Sequence, residues 1–400
     1  MIPIEDAYRS LAETFATLTS ESSRDEVLPT DAALGRVLAE AVSCRFPSPP
    51  FNASAMDGIA FTWSADTQTY KIIGTVAAGD IPDLLQPGGD ECVRIMTGAP
   101  VPTGADTVQM VEKVAFDGEV ATLQETVVCG SHIRYKGENL ETGTPLYGPG
   151  TLITAGVLAG LLSNGLRFVR VRARLRIGIA ATGNEVIDYR RPLLPGQIYN
   201  SNALTVGALL TSPAVQILQL GTFPDKLEET VACIGANCDL DLLVLSGGVS
   251  MGNFDLVPEA AETAGFKKVF HKIRMKPGKP LWFGAHSSGC LLFGLPGNPV
   301  SAMVGAMLYV KPMVRALLTG NFQEPLWGQG ILTSSVRNRG RLPYFVGARL
   351  QSHSGALNVQ PLTTSGSGDV LRFSLFETLL RLKPETEYNS GDGIQVLLPF

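Results

Sequence analysis

Leu242-Leu243-Val244-Leu245-Ser246-Gly247-Gly248-Val249-Ser250 decides the fold, because an apolar run of buried-strand length enters a glycine pair directly. Two other stretches repeat the arrangement. Leu175–Ala181 leads into Thr182-Gly183-Asn184-Glu185, and Cys290–Phe293 leads into Gly294-Leu295-Pro296-Gly297-Asn298-Pro299-Val300-Ser301. Helical patterns lie between or after these runs, the alternation expected of a doubly wound α/β domain. In open α/β sheets, ligands bind beyond the carboxyl ends of the strands. Glycine lets the backbone approach a ligand, and free N–H groups at a following helix start favour an anion. A single Gly turn commonly just closes a strand, but three in one domain favour an anion pocket over scaffold turns alone, drawn from Thr182, Ser246, Gly247, Gly248, Ser250, Pro296, Gly297, Asn298 and Ser301.

Outward from this domain the patterning changes. Ile4 to Leu18 places Ala7, Leu11, Phe15 and Leu18 on one helical stripe, and Asp31 is positioned to cap a second helix through Ala41. Lys71–Ala77, Cys92–Met96 and Thr107–Val111 read as short strands between Gly- and Pro-rich turns. A third helix is expected near Thr154–Ser163, and short strands return after Asn321. The division predicted is a discontinuous helical and extended domain (1–43 and 137–171) with an inserted β module (44–136). An α/β domain (172–320) and a C-terminal β-barrel or sandwich (321–400) follow.

Composition bounds the function. The chain has 400 residues, only 17% of them charged, so a largely disordered protein is excluded. A net charge of -5 with no long basic run argues against nucleic acid as the main partner. Glu5, Asp6 and Glu13 do not suit a signal peptide, and Thr151–Leu166, the most apolar window, is too short to span a membrane. A cytoplasmic protein is expected. Six scattered cysteines without a Cys-x-x-Cys pair read as buried thiols, not as a zinc site. No Ser-His-Asp grouping, Walker sequence or dinucleotide fingerprint occurs.

Between the second and third junctions, Ile273-Arg274-Met275-Lys276-Pro277-Gly278-Lys279-Pro280 reads either as a solvated basic loop or, with lysines three apart on a rigid backbone, as a grip for an oxyanion, which it suits better. Asp57 (in Asn52-Ala53-Ser54-Ala55-Met56-Asp57-Gly58), Glu185 and Asp255 occupy turn-rich surroundings. Magnesium prefers carboxylate oxygens shared with substrate phosphates, but each acid alone also reads as a turn former or cap. Thr97, in Arg94-Ile95-Met96-Thr97-Gly98-Ala99-Pro100, marks one more strand-to-turn corner, where it reads equally as structural.

Taken together, Asn52–Gly58, Arg94–Pro100, Ser246–Ser250, Lys276–Pro280 and Leu295–Ser301 resemble, in their order, the molybdopterin molybdenumtransferase family, which includes the gephyrin E-domain. The resemblance extends to the tail Gly391-Asp-Gly-Ile-Gln-Val-Leu-Leu-Pro-Phe400. It implies an elongated homodimer of four-part subunits. The α/β part would be a molybdopterin-binding domain, with the active cleft shared between subunits. The implied activity is insertion of molybdate into the dithiolene of adenylylated molybdopterin, with Mg²⁺-dependent release of AMP. Asp57, Glu185 and Asp255 would then be catalytic and hold Mg²⁺. Lys276, Lys279, Arg341, Ser301 and Ser367 would hold molybdate, and Thr97 would join the residues that bind substrate. Transient contacts with other molybdenum cofactor enzymes are implied as well.

The chain departs from the family pattern at Asn139, where relatives usually have Asp, at Asn184, where Asp is frequent, and at Gly347, near a position often basic. Two other readings stay open on the sequence. One is a non-catalytic molybdopterin-binding or scaffold paralogue; the other is the adenylyltransferase that makes the substrate.

Overall fold

The strand carrying the deciding sequence, Leu242–Ser246, lies inside a six-stranded sheet. The computed structural model describes residues 1–18, 24–81, 85–250, 255–353 and 355–398. Part of the second junction, 251–254, and the last two residues of the tail lie outside the described residues. The sheet order is Val215–Phe223, Leu175–Thr182, Leu242–Ser246, Leu291–Leu295, Trp282–Ala285, Lys267–His271. Its first four strands are mutually parallel, and Trp282–Ala285 pairs antiparallel with the strand on either side of it.

Successive residues of these strands face opposite sides, and both sides are buried. Ile177, Ile179, Leu242, Val244 and Phe293 enter one core with helices Ile4–Thr17, Asn202–Leu210 and Pro299–Gly305. Ala180, Leu243, Leu245 and Leu292 enter a second core with Leu227–Gly235 and Val257–Thr263. Each fully buried Leu, Ile or Phe contributes about 1.5–3 kcal/mol, so two-sided burial fixes the strand register firmly. From Leu175–Thr182 the chain goes to one neighbour and then returns to the other side. That reversal of strand order is the switch point at which ligands bind.

Pro299–Gly305 continues through a π-helical turn, Ala306–Val310, into Lys311–Thr319. This 21-residue run is long and apolar enough to cross a membrane by composition alone, yet 78% of its most apolar window is buried. It is a core helix. The C-terminal strands Trp327–Leu332, Ala356–Pro361, Tyr344–His353, Thr378–Leu382 and Gly393–Leu397 form a closed barrel filled by Leu332, Val346, Val359, Leu380 and Val396.

The chain divides into two compact units, Met1–Glu40, Pro149–Leu158 and Phe168–Phe400 forming the first, and Ala41–Gly148 with Ala159–Arg167 forming the second. In the second unit a six-stranded sheet runs Thr107–Met110, Gly58–Phe61, Glu91–Ile95, Thr69–Val76, Val120–Leu123, Val114–Asp117. Helix Ala155–Ser163 lies where the third helix was expected.

The second helix, expected from Asp31 through Ala41, does not form. Asp25–Pro29 is instead a strand paired with Phe168–Arg172, followed by a single 3₁₀ turn, Thr30–Ala32. The left-handed Gly35 interrupts the expected helix, and bridges Val37–Leu152 and Leu38–Val171 satisfy the backbone in extended form. Arg36, 3% exposed, reaches back to Glu26 and donates to the Arg172 carbonyl at 2.7 Å. The cysteines also need correction. All are free thiols, but only Cys44, Cys92 and Cys290 are buried, and Cys129 is exposed.

Candidate functional site

At the switch point the three junctions meet around one cavity of about 600 Å³. Its wall includes Thr182, Glu185, Ser246, Gly247, Gly248, Ser250, Asp255, Pro296, Gly297 and Asn298, residues separated by more than a hundred positions. The chain can pack this closely only because of Gly247. A Cβ there would lie 2.6 Å from Thr182 Oγ1 and 2.9 Å from the Thr182 carbonyl oxygen, and its φ is +105°. His271 Nε2 lies 2.9 Å from the Val249 carbonyl, and as the Nε2–H tautomer it ties down the same loop from outside. Burial lowers the His271 pKa, which favours that neutral ring.

Thr182 itself is buried, and among the described residues its hydroxyl has no hydrogen-bond partner. Buried polar groups are nearly always paired, so an unsatisfied hydroxyl in a cavity wall points to a ligand. Asn202, the first residue of helix Asn202–Leu210, fastens two junctions together. Its Nδ2 donates to Ser246 Oγ at 2.8 Å and to the Gly297 carbonyl at 2.7 Å. Asn202→Ala leaves two acceptors unpaired, so ligand affinity should fall about tenfold, measured by titration of pterin fluorescence. The sequence reading passed over this residue, although Asn200-Ser201-Asn202 before an apolar run is a helix-start signal.

Glu185 and Asp255 bring two carboxylates to the cavity wall. Among the described residues no three His, Cys, Asp or Glu side chains gather as a metal cluster, so Asp57, Glu185 and Asp255 do not form one within a chain. Two carboxylates completed by ligand phosphates still fit Mg²⁺, which keeps few protein ligands. Asn184 donates its backbone N–H to Asp225 at 2.9 Å, so Asp at that position would set a second carboxylate beside Asp225.

Lys276, Ser301, Arg341 and Ser367, the residues expected from the sequence to grip an oxyanion, do not line the cavity, and the Lys276 loop meets the barrel. Lys276 N–H donates to the Pro343 carbonyl at 2.9 Å, and Phe345 N–H donates to the Lys276 carbonyl at 2.7 Å. Pro280 lines the cavity beside Lys279. Asn298 Nδ2 donates to Ser367 Oγ at 2.9 Å, while Ser301 is buried in the following helix. Arg341 is 93% exposed and only loosely paired with Glu385 at 3.8 Å. A side chain at Gly347 would meet the Phe373 ring at 2.8 Å, so no basic residue fits there without movement.

Residues 2–165 match the family described as MoeA N-terminal region (domain I and II), and residues 178–316 match one described as probable molybdopterin binding domain. Every residue of the cavity wall falls in the second match. A molybdopterin molybdenumtransferase of Bacillus subtilis is 32% identical over 99% of this chain and 94% of its own length. Another, of Haemophilus influenzae, is 35% identical over 94% of each. The chain belongs to the molybdopterin molybdenumtransferase family. The crystal structure of a molybdopterin biosynthesis MoeA protein from Pyrococcus horikoshii superposes with a TM-score of 0.79 at 26% identity, covering 100% of this chain and 99% of that one. The family is one of transferases, and its architecture of α/β domain, β module, helical part and barrel is the one found here.

The motifs Asn52–Gly58 and Arg94–Pro100 lie in the second unit. Asp57 accepts from the Thr97 backbone N–H at 2.7 Å and from the Thr97 hydroxyl at 2.8 Å. Those two bonds hold its pKa below the usual carboxylate range, the backbone bond contributing most. Thr97 thus fixes Asp57 in place. Asn139 accepts from Arg134 at 3.1 Å and lies 3.5 Å from Ser48 Oγ, so its amide closes a local turn.

Proposed function

We propose that this chain inserts molybdate into the dithiolene of adenylylated molybdopterin and releases AMP. The observation that carries the reading is the switch-point cavity with its unpaired Thr182 hydroxyl, in a chain of this family. The substrate combines a pterin with a pyrophosphate link. Gly247, Gly248 and Gly297 let backbone approach that link, and Thr182 supplies a donor already stripped of water. The start of helix Asn202–Leu210 favours the negative charge. Glu185 and Asp255 are the residues that would hold Mg²⁺, whose role when bound is to polarise phosphate oxygens.

Molybdate, a tetrahedral dianion, is assigned to Lys276, Lys279, Ser301, Arg341 and Ser367. Neither lysine enters an ion pair among the described residues. The reading includes a homodimer whose shared cleft recruits Asp57 from the other subunit. It also includes the four-part division of the chain drawn from its sequence, a cytoplasmic location and transient contacts with other enzymes of the pathway.

Turnover of adenylylated molybdopterin by the purified protein tests this, with molybdate and Mg²⁺ each supplied or withheld. AMP release should require both. Tight binding without AMP release would instead assign the chain to the non-catalytic reading, and consumption of ATP would assign it to the adenylyltransferase.

A further inference from the structure

We infer that Tyr344 is a positioning residue for the oxyanion grip, its ring holding the Lys276 ammonium over one face. The inference rests on the assignment of molybdate to Lys276. Lys276 Nζ lies 4.9 Å from the centre of the Tyr344 ring, within the range of a cation–π contact. The contact is built into the fold. Lys276 and Tyr344 form a parallel bridge, and the Lys276 peptide is hydrogen-bonded to Pro343 on one side and Phe345 on the other.

A lysine ammonium on a four-carbon stem is a mobile point charge, and binding an anion requires it to be held still. A carboxylate would hold it by neutralising it and would compete with the anion. An aromatic face holds it while leaving its charge and its three N–H donors available on the far side. Lys276 is exposed while the Pro277-Gly278 backbone beneath it is buried, so the head is presented outward from a rigid base. Lys279, three residues on, has no such platform among the described residues. The structure therefore assigns the two lysines different parts, Lys276 the preorganised one.

Molybdate binding to the full-length protein, measured by equilibrium dialysis, tests the inference. Tyr344→Leu should weaken binding about threefold, the effect of a cation–π contact near the surface, and raise KM for molybdate with little change in kcat. Tyr344→Phe should restore most of the loss. If the Leu variant does not fold, Tyr344→Met fills the same space without a ring and should behave as Leu is expected to. In a Lys276→Met background the ring substitution should have no further effect, because the ring acts through the ammonium. Equal weakening in both backgrounds, or no weakening in either, would overturn the inference. Wild-type protein that binds no molybdate, or Lys276→Met protein that binds it as well as wild type, would overturn the molybdate assignment itself.

Discussion

Glu185→Gln should lower AMP release by about a hundredfold or more while leaving thermal stability unchanged. Glu185 sits at the end of strand Leu175–Thr182, after the turn at Gly183, and its carboxylate folds back over that glycine. A Cβ added at Gly183 would lie 2.7 Å from one carboxylate oxygen and 2.8 Å from the other. The group is exposed on the cavity wall. Gln preserves the shape and removes the charge. Loss of one charge that acts on the reacting phosphates is worth about 3 kcal/mol in the transition state, which gives the hundredfold figure. An exposed side chain leaves the core untouched, and surface changes of this kind stay within about 0.5 kcal/mol in stability. Turnover that survives in the variant would remove Glu185 from the mechanism.

Gly58→Ala should destabilise the second unit by about 3 kcal/mol and abolish turnover without altering any residue of the cavity. Gly58 opens strand Gly58–Phe61 directly after Asp57 and is buried beneath the strand Thr107–Met110. A Cβ at this position would fall 1.8 Å from the Gln109 carbonyl oxygen, a backbone atom that cannot turn aside. The two strands must separate, and with them goes the pairing of Asp57 with Thr97. Gly88→Ala is the control, since nothing lies within 4 Å of a Cβ there. Urea unfolding followed through Trp63 fluorescence should show a lowered midpoint for Gly58→Ala and none for Gly88→Ala. Equal midpoints would mean that the strands separate freely at this point.

The two residues illustrate how differently the sequence could be read. At Glu185 the signal is local. An apolar run, a glycine and an acid follow one another within ten residues, and the strand's direction places the acid at the ligand-binding edge. At Gly58 the motif Asp57-Gly58 is visible in the sequence, but the reason for glycine is a carbonyl 51 positions later. Asn202 lies between these cases: its helix-start signal is local, yet the groups it fastens, Ser246 and Gly297, are 44 and 95 residues away. Thr30–Ala32 shows the opposite failure. Local capping favours a helix there, and pairing of the flanking chain with Phe168–Arg172 and Leu152 overrides it.

What the sequence by itself determined is therefore what depends on near neighbours. This covers the buried parallel strands, the glycine turns that end them, the amphipathic first helix and the ordered motifs that mark the family. Only the tertiary structure decided that three junctions share one cavity, that Thr182 is left unpaired in its wall, and that Lys276 rests on Tyr344. The structure also decided that the apolar run Pro299–Thr319 is a core helix, since length and composition alone would also let it cross a membrane. The physical reason is the range of the forces. Backbone preference and side-chain periodicity act over a few residues, whereas burial, close approach and hydrogen-bond satisfaction depend on whatever part of the chain folding brings alongside.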